Sequence, residues 1–429
     1  MDLKVIPCKK ISGKIQVQSD KSISHRSIML CSLSNGVCEV QNFLESDDCL
    51  RTIECFRAMG IKVEKNGDSN YLVYGKGLRG LRHPNDILYV GNSGTLIRLI
   101  LGILSGQDFV STITGDESIR QRPMKRVVEP LRKMGATIIG RDDGNFAPLE
   151  VKGGKLKAIN YDLPIPSAQV KSCLMFASLF AQGESVISEP AASRDHTERL
   201  FKYFEIPFSK RNNSIHISNV DEIKPKNVII PGDISSAAFF IVAALIIPDS
   251  EIKITNVGLN PTRTGLLDVL MKMGADIKVE NLRKICEEEV GDITAKYSFL
   301  KGIEIKGDII PRIIDEIPII SVAAALADGE TIISDAQELR VKESDRIKTT
   351  VEELKKIGVN AIDKEDGLVI FGKNKIKGAT CTSHGDHRIA MSLAIAGLSA
   401  NEPILIQDTD CINTSFPKFF EILQNVVVY

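Results

Sequence analysis

The chain has 429 residues, which at roughly 100 to 200 residues per domain predicts two to four domains around a large buried core. Its 54 Lys and Arg face 55 Asp and Glu, a net charge of -1, so it is not a protein that coats nucleic acid by neutralising phosphates, and any anion binding is local. With 43% hydrophobic and 25% charged residues a disordered chain is not expected, and with no apolar run near the roughly 20 residues of a membrane span and no apolar signal core in MDLKVIPCKK no membrane location is expected. A cytoplasmic globular enzyme or binding protein is expected.

In chain order, LKVIPCKK reads as a strand suited to pair with the second half. Six apolar, small-residue-rich segments then recur: SIMLCSLSNG, LIRLILGILSG, SCLMFASLFAQG, SAAFFIVAALIIPD, PIISVAAALADG and IAMSLAIAGLSANE. Most end at Gly, Asn or Asp, as helices do, and being apolar on nearly every side they predict buried helices. Between them run CLRTIECFRAMGIKV, VVEPLRKMGATII, TERLFKYFEIPF, GLLDVLMKMGADIKV, VEELKKIGVNAI and FFEILQNVVVY, each an amphipathic helix, usually a Gly stop, and a β-rich run. A period of about 70 residues exceeds that of solenoids and predicts compact α/β units, three per domain, with a break in VDEIKPKNVIIPGD.

The residues ahead of the buried helices are richer than plain caps: SDKSISHR, GNSGTLIR, IPSAQVKS, PGDISSAA, DEIP and GDHRIAM. Helix N-termini attract anions, and Lys21, Arg26, Arg98, Lys171 and Arg388 add cations there, which points to a small, multiply anionic substrate. Ser, Asp and Asn before an apolar run are also ordinary N-caps, the simpler reading for PGDISSAA. Lys21 and Arg26 beside a buried helix are costly unless an anion offsets them. GNSGT lacks the GK[ST] of a nucleotide loop, so ATP is not expected.

The amphipathic helices add Arg120 and Arg122 before Pro123, which suits a first helical turn and holds Arg122 extended. They add Ser193 with Arg194, and the run RVKESDRI with Arg340, Lys342, Glu343, Asp345 and Arg346. Such a run usually marks a solvated helix face, and RVKESDRI departs from that expectation only through its setting, after the strand TIISDAQEL in a chain whose other unit entrances gather cations. Asp315 with Glu316, and Glu343, are the acid–base candidates, since carboxylates in different settings separate the two proton-transfer roles. Lys342 and Arg346 would depress the Glu343 pKa, so burial or a substrate anion is needed to keep it protonated. Nine cysteines without CxxC predict reduced core thiols, and single His–Asp pairs are too few ligands for zinc, so no metal and no cofactor are expected.

SDKSISHR, GNSGTLIR, SIRQRPM, PSAQVKS, SRDHTE, PGDISSAAFF, DEIP, LRVKESDRI and GDHRIAM, in this order over essentially the whole chain, resemble the 5-enolpyruvylshikimate-3-phosphate synthase family. The resemblance implies an α/β, two-domain enolpyruvyl transferase fold of six βαβαββ repeats around parallel buried helices. It implies a discontinuous domain of residues 1–19 and 232–429, carrying acid–base residues and phosphoenolpyruvate contacts, and an inserted domain, 20–231, carrying shikimate 3-phosphate contacts. The two would close around substrate in a cleft through a double crossing. The implied reaction moves the enolpyruvyl group of phosphoenolpyruvate to the 5-hydroxyl of shikimate 3-phosphate, in a monomer, without metal.

By the same resemblance, Lys21 is catalytic and contacts both substrates, and Ser22 and Arg26 hold the shikimate ring and carboxylate. Ser167, Ala168, Gln169, Ser193 and Arg194 take its phosphate. Gly94, Arg122, Gln169, Arg346 and Arg388 surround phosphoenolpyruvate. Asp315 and Lys342 meet the attacking hydroxyl, and Glu343 donates the proton. Ala168, Glu338, Thr414 and Leu99 depart from residues common in the family, as in its divergent subgroup. The sister transferase acting on UDP-N-acetylglucosamine carries a Cys in the loop before its ARP motif, and GDESIRQRP has none. A noncatalytic anion-binding protein of the same fold is the rival from another class.

Overall fold

The computed structural model describes all 429 residues, Met1–Tyr429. The six apolar segments form the helices Lys21–Leu33, Gly94–Ser105, Ala168–Ser178, Ile234–Ile246, Ile317–Leu326 and His387–Leu398. Every residue of Ile234–Ile246 is buried, the arrangement its unbroken apolar sequence requires. No helix is long and apolar enough to cross a membrane.

Three of the buried helices belong to βαβαββ frames that are continuous along the chain. Strand Leu88–Tyr89 leads through helix Gly94–Ser105 to its parallel neighbour Val110–Thr114, and after helix Lys125–Lys133 the strands Thr137–Gly140 and Phe146–Lys152 add antiparallel edges. The same order recurs in the sheet built on Glu184–Ser188 and in that built on Glu330–Ile333. The remaining sheets borrow strands from afar. Val228–Ile229 runs parallel to Asn35–Gln41, and Lys10–Gln16 runs parallel to Glu251–Gly258 with Ile15 opposite Ile254. Leu3–Val5 pairs antiparallel with Ile404–Gln407, and Val427–Val428 edges Lys10–Gln16. The N-terminal segment therefore pairs with second-half strands.

The chain divides into two compact units: a terminal unit of residues 1–18, 231–284 and 289–429, and an inserted unit of residues 19–230 with 285–288. The repeat pattern does not announce the four-residue excursion, which joins the strands Asp276–Ile285 and Glu288–Lys296. Each unit has its own core, with Ile28, Ile100 and Phe176 central to one and Phe240, Ile320 and Ile395 to the other. Inside the inserted unit the helices Gly94–Ser105 and Ala168–Ser178 approach so closely that a Cβ on Gly102 would lie 2.1 Å from the Cys173 carbonyl oxygen. All nine cysteines are free thiols.

One local expectation needs correcting. Pro123 stands outside the helix, which starts at Lys125 after the cap residue Met124, and a short helix, Glu117–Gln121, precedes it. Arg122 between them is extended, as the following proline demands.

Candidate active site

In the inserted unit, hydrogen bonds between the starts of the three buried helices tie them together. His25 on the first helix lies 3.4 Å (Nε2) from Ser93 Oγ, the cap of the second. Arg98 on the second donates to Gln169 Oε1 on the third at 2.8 Å. Arg26 donates through Nε to Thr197 Oγ1 at 2.7 Å, and through its terminal nitrogens to Ser172 Oγ and the Ser22 carbonyl, both at 3.0 Å. Burial pushes the Arg26 pKa down to about 10, against Glu198 and Asp20, which favour its charge. Burial, Lys21 and Arg26 hold the His25 pKa well below its usual value, so the ring is neutral.

Lys21 opens the first helix and pairs with Asp48; Asp20 caps the helix, its carboxylate accepting from Ile23 N at 2.8 Å. Arg122 donates to Asn92 Oδ1 at 2.8 Å and Ser118 Oγ at 3.1 Å. Gly94 leaves room between cations: a Cβ there would lie 2.9 Å from Nη1 of Arg122 and 3.0 Å from Nη1 of Arg98. Ser167 caps the third helix, Ala168 begins it, and Gln169 also donates to Thr95 Oγ1 at 3.3 Å. Ser193 donates through its hydroxyl to Glu189 Oε2 at 2.5 Å. Arg194 follows it in the chain and lies close enough to Arg26 to disfavour that residue's charge.

Lys171 does not contribute the open cation expected of it. Its ammonium, 1% exposed, lies 2.8 Å from Glu189 and 2.7 Å from Glu198. Burial opposes its charge, but the two glutamates outweigh burial and raise its pKa. Lys171 therefore braces the Glu189 that holds Ser193.

The terminal unit gathers the acid–base candidates around one arginine. Arg346, 1% exposed, donates through Nε to Asp386 Oδ2 at 2.7 Å, through Nη1 to Asp315 Oδ1 at 3.1 Å and through Nη2 to Glu343 Oε2 at 2.6 Å. Burial disfavours the guanidinium charge, yet Asp386, Glu343 and Asp315 together raise its pKa above the ordinary arginine value. Asp386 is fully buried; Arg346 overcomes that burial and keeps its pKa below the usual carboxylate range. Lys342 Nζ is 4.0 Å from Asp315 Oδ1, and Arg388 Nη1 donates to the Asp315 carbonyl at 2.8 Å. The run RVKESDRI is thus not a solvated face: Arg340 pairs outward with Asp345 and Asp363, while Arg346 turns into the interior.

Lys21, Ser22, Arg26, Gly94, Arg122, Ser167, Ala168, Gln169, Ser193 and Arg194 therefore sit at or near the helix starts of the inserted unit, and Asp315, Lys342, Glu343, Arg346 and Arg388 at those of the terminal unit. Sequence reasoning missed the partners: Asp48 for Lys21, Glu189 for Ser193 and Asp386 for Arg346. Asp386 was within reach, because Asp directly before an apolar helix is a cap signal, and here it also accepts from Arg388 N at 2.9 Å.

A sequence profile described as EPSP synthase (3-phosphoshikimate 1-carboxyvinyltransferase) matches residues 5–423. The chain belongs to this family. It is 51% identical over 428 residues to the 3-phosphoshikimate 1-carboxyvinyltransferase of Desulforamulus reducens, covering 100% of both chains. It is 52% identical over 422 residues to that of Geotalea daltonii, covering 98% of each. Among solved structures, the EPSP synthase of Acinetobacter baumannii aligns with a TM-score of 0.89 at 43% identity, covering 100% of this chain and 98% of that one. The enolpyruvyl transferase NikO of Streptomyces tendae, 15% identical with a TM-score of 0.80 over 99% of this chain and 96% of that one, shares the fold. The expected enolpyruvyl transferase architecture is thereby established.

Proposed function

We infer that this chain is an enolpyruvyl transferase that moves the enolpyruvyl group of phosphoenolpyruvate onto the 5-hydroxyl of shikimate 3-phosphate and releases phosphate, a step of aromatic amino-acid biosynthesis. The observation that supports this best is the buried Arg346 joined to Asp315, Glu343 and Asp386 beside Lys342 and Arg388. It combines two carboxylates suited to proton transfer with cations suited to an anionic substrate.

In the division of labour we propose, the inserted unit holds shikimate 3-phosphate. Ser22 and Arg26 take its ring and carboxylate, and Ser167, the Ala168 N–H, Gln169, Ser193 and Arg194 take its phosphate at a helix N-terminus. Gly94, Arg122, Gln169, Arg346 and Arg388 receive phosphoenolpyruvate, and Lys21 touches both substrates. The Asp315 carboxylate, with Lys342, takes the proton of the 5-hydroxyl as its oxygen bonds to C2 of phosphoenolpyruvate, while Glu343 gives a proton to the methylene carbon. The tetrahedral adduct then gives a proton of its new methyl group back to the Glu343 carboxylate as its C–O bond to phosphate breaks, and the surrounding cations stabilise the departing phosphate. Arg346 pairs with Glu343 here, so a protonated Glu343 requires Arg346 to spend its charge on Asp315, Asp386 and the incoming anion. One chain carries both residue sets, which supports a monomer, and we propose a cytoplasmic one.

The test is phosphate release from phosphoenolpyruvate with and without shikimate 3-phosphate, in the native chain and in Asp315→Asn and Glu343→Gln. General acid–base groups contribute about 10²- to 10⁴-fold, so each variant should lose turnover by about that factor and still bind shikimate 3-phosphate. A native chain that releases no phosphate would instead favour the noncatalytic anion-binding reading, and variants that keep full turnover would refute the proton-transfer roles of Asp315 and Glu343.

A further inference from the structure

One carboxylate of the terminal unit, unused by the proton transfers above, is buried more deeply than Asp315 or Glu343. Glu316 is 1% exposed, and its Oε2 accepts no hydrogen bond. A buried oxygen left so is costly and asks for a reason. The other oxygen, Oε1, takes the Ser235 hydroxyl and Nη1 of Arg388, the latter at 3.3 Å. That same Nη1 donates to the carbonyl of Asp315, so two consecutive residues grip one guanidinium.

The grip is braced from behind. Arg263 donates to Ser235 Oγ at 2.6 Å and to Asp233 Oδ1 at 3.0 Å, and Asp233 caps the helix Ile234–Ile246. Ser235 lies in the first turn of that helix, Glu316 at the cap of Ile317–Leu326 and Arg388 in the first turn of His387–Leu398. One line of hydrogen bonds therefore crosses the starts of all three buried helices of this unit. An arginine fixed beforehand has less rotamer freedom to lose when an anion arrives.

We propose that Glu316 is a positioning residue, which through Ser235 and Arg263 sets the Arg388 guanidinium, and with it the Asp315 peptide, in the arrangement phosphoenolpyruvate needs. The proposal rests on the enolpyruvyl-transfer reading. Its sign is diagnostic. If Glu316 acted only as a nearby negative charge, neutralising it would tighten an anionic substrate; if it positions Arg388, neutralising it weakens that substrate.

The experiment is Glu316→Gln, nearly isosteric, with kcat and KM measured for each substrate, shikimate 3-phosphate affinity titrated separately, and thermal denaturation. The expected result is a rise in KM for phosphoenolpyruvate of about tenfold, with shikimate 3-phosphate affinity within about twofold. In an Arg388→Lys background the same change should have little further effect, because the two residues act as one unit. An unchanged or lowered KM for phosphoenolpyruvate, equal weakening of both substrates, or an undiminished effect in the Arg388→Lys background overturns the proposal. If Glu316→Gln does not fold, Ser235→Ala carries the same expectation and the same refutation. A native chain that releases no phosphate with both substrates overturns the functional reading instead; a working native chain with a normal Glu316→Gln overturns only this inference.

Discussion

If Gly94 borders phosphoenolpyruvate as proposed, Gly94→Ala, a one-carbon change, should act on that substrate and spare shikimate 3-phosphate. Gly94 is the first residue of the helix Gly94–Ser105 and its φ lies outside the left-handed range, so the backbone accepts alanine. The new methyl would stand 2.9 Å from one Arg122 nitrogen and 3.0 Å from one Arg98 nitrogen. Relaxed contacts of this kind lie at about 3.5 Å or beyond, so each guanidinium must withdraw by about 0.5 Å. Neither is slack: Arg122 is tied to Asn92 and Ser118, and Arg98 to Gln169. Misplacing a binding group by about 1 Å costs on the order of 10²-fold, and half that displacement scales to roughly tenfold, or about 1.4 kcal/mol. KM for phosphoenolpyruvate, measured at saturating shikimate 3-phosphate, should therefore rise about tenfold, while shikimate 3-phosphate affinity and the melting temperature stay near those of the native chain. An unmoved KM for phosphoenolpyruvate, or a parallel rise for both substrates, would refute the reasoning.

Asp386→Asn should cost about 3 kcal/mol at neutral pH, the low end of the loss on removing one partner of a buried pair, because Arg346 keeps Asp315 and Glu343. The Asp386 pKa is lower folded than unfolded, so its contribution is complete above the unfolded value of about 3.9 and fades as pH falls toward the folded one. Urea midpoints of variant and native chain should accordingly draw together as pH falls below about 4, and a gap that does not narrow in acid speaks against the linkage. Lys171→Met strands Glu189 and Glu198 in the interior and should cost about 3 to 5 kcal/mol. Adding Glu189→Gln and Glu198→Gln should restore much of that loss in thermal denaturation; a triple variant as unstable as Lys171→Met would show that the charges are not its cause.

The buried helices were legible because a segment such as SAAFFIVAALIIPD has no polar face to offer water, and the frames around them because most amphipathic segments stop at Gly before a β-rich run. Partnership was not. Lys171 reads as a cation at a helix start, and only the fold brings Glu189 and Glu198 to it. Arg346 sits in a run of charges typical of a surface, and its burial is tolerable only because Asp315 and Asp386, 31 and 40 residues away along the chain, meet it. The resemblance carried over the residues that bear on substrate, whereas Asp48, Glu189 and Asp386 became visible only as the contacts holding them.

The strand Lys10–Gln16 finds its parallel neighbour about 240 residues later, in Glu251–Gly258. At 5–20 residues/s, a ribosome takes roughly 12 to 48 s to supply it. By the end of that interval all of residues 19–230 has been made and is free to fold, while the strand Lys10–Gln16 still lacks its parallel neighbour. Synthesis thus gives the inserted unit a head start, and the unit that holds both chain ends must wait for its sheet.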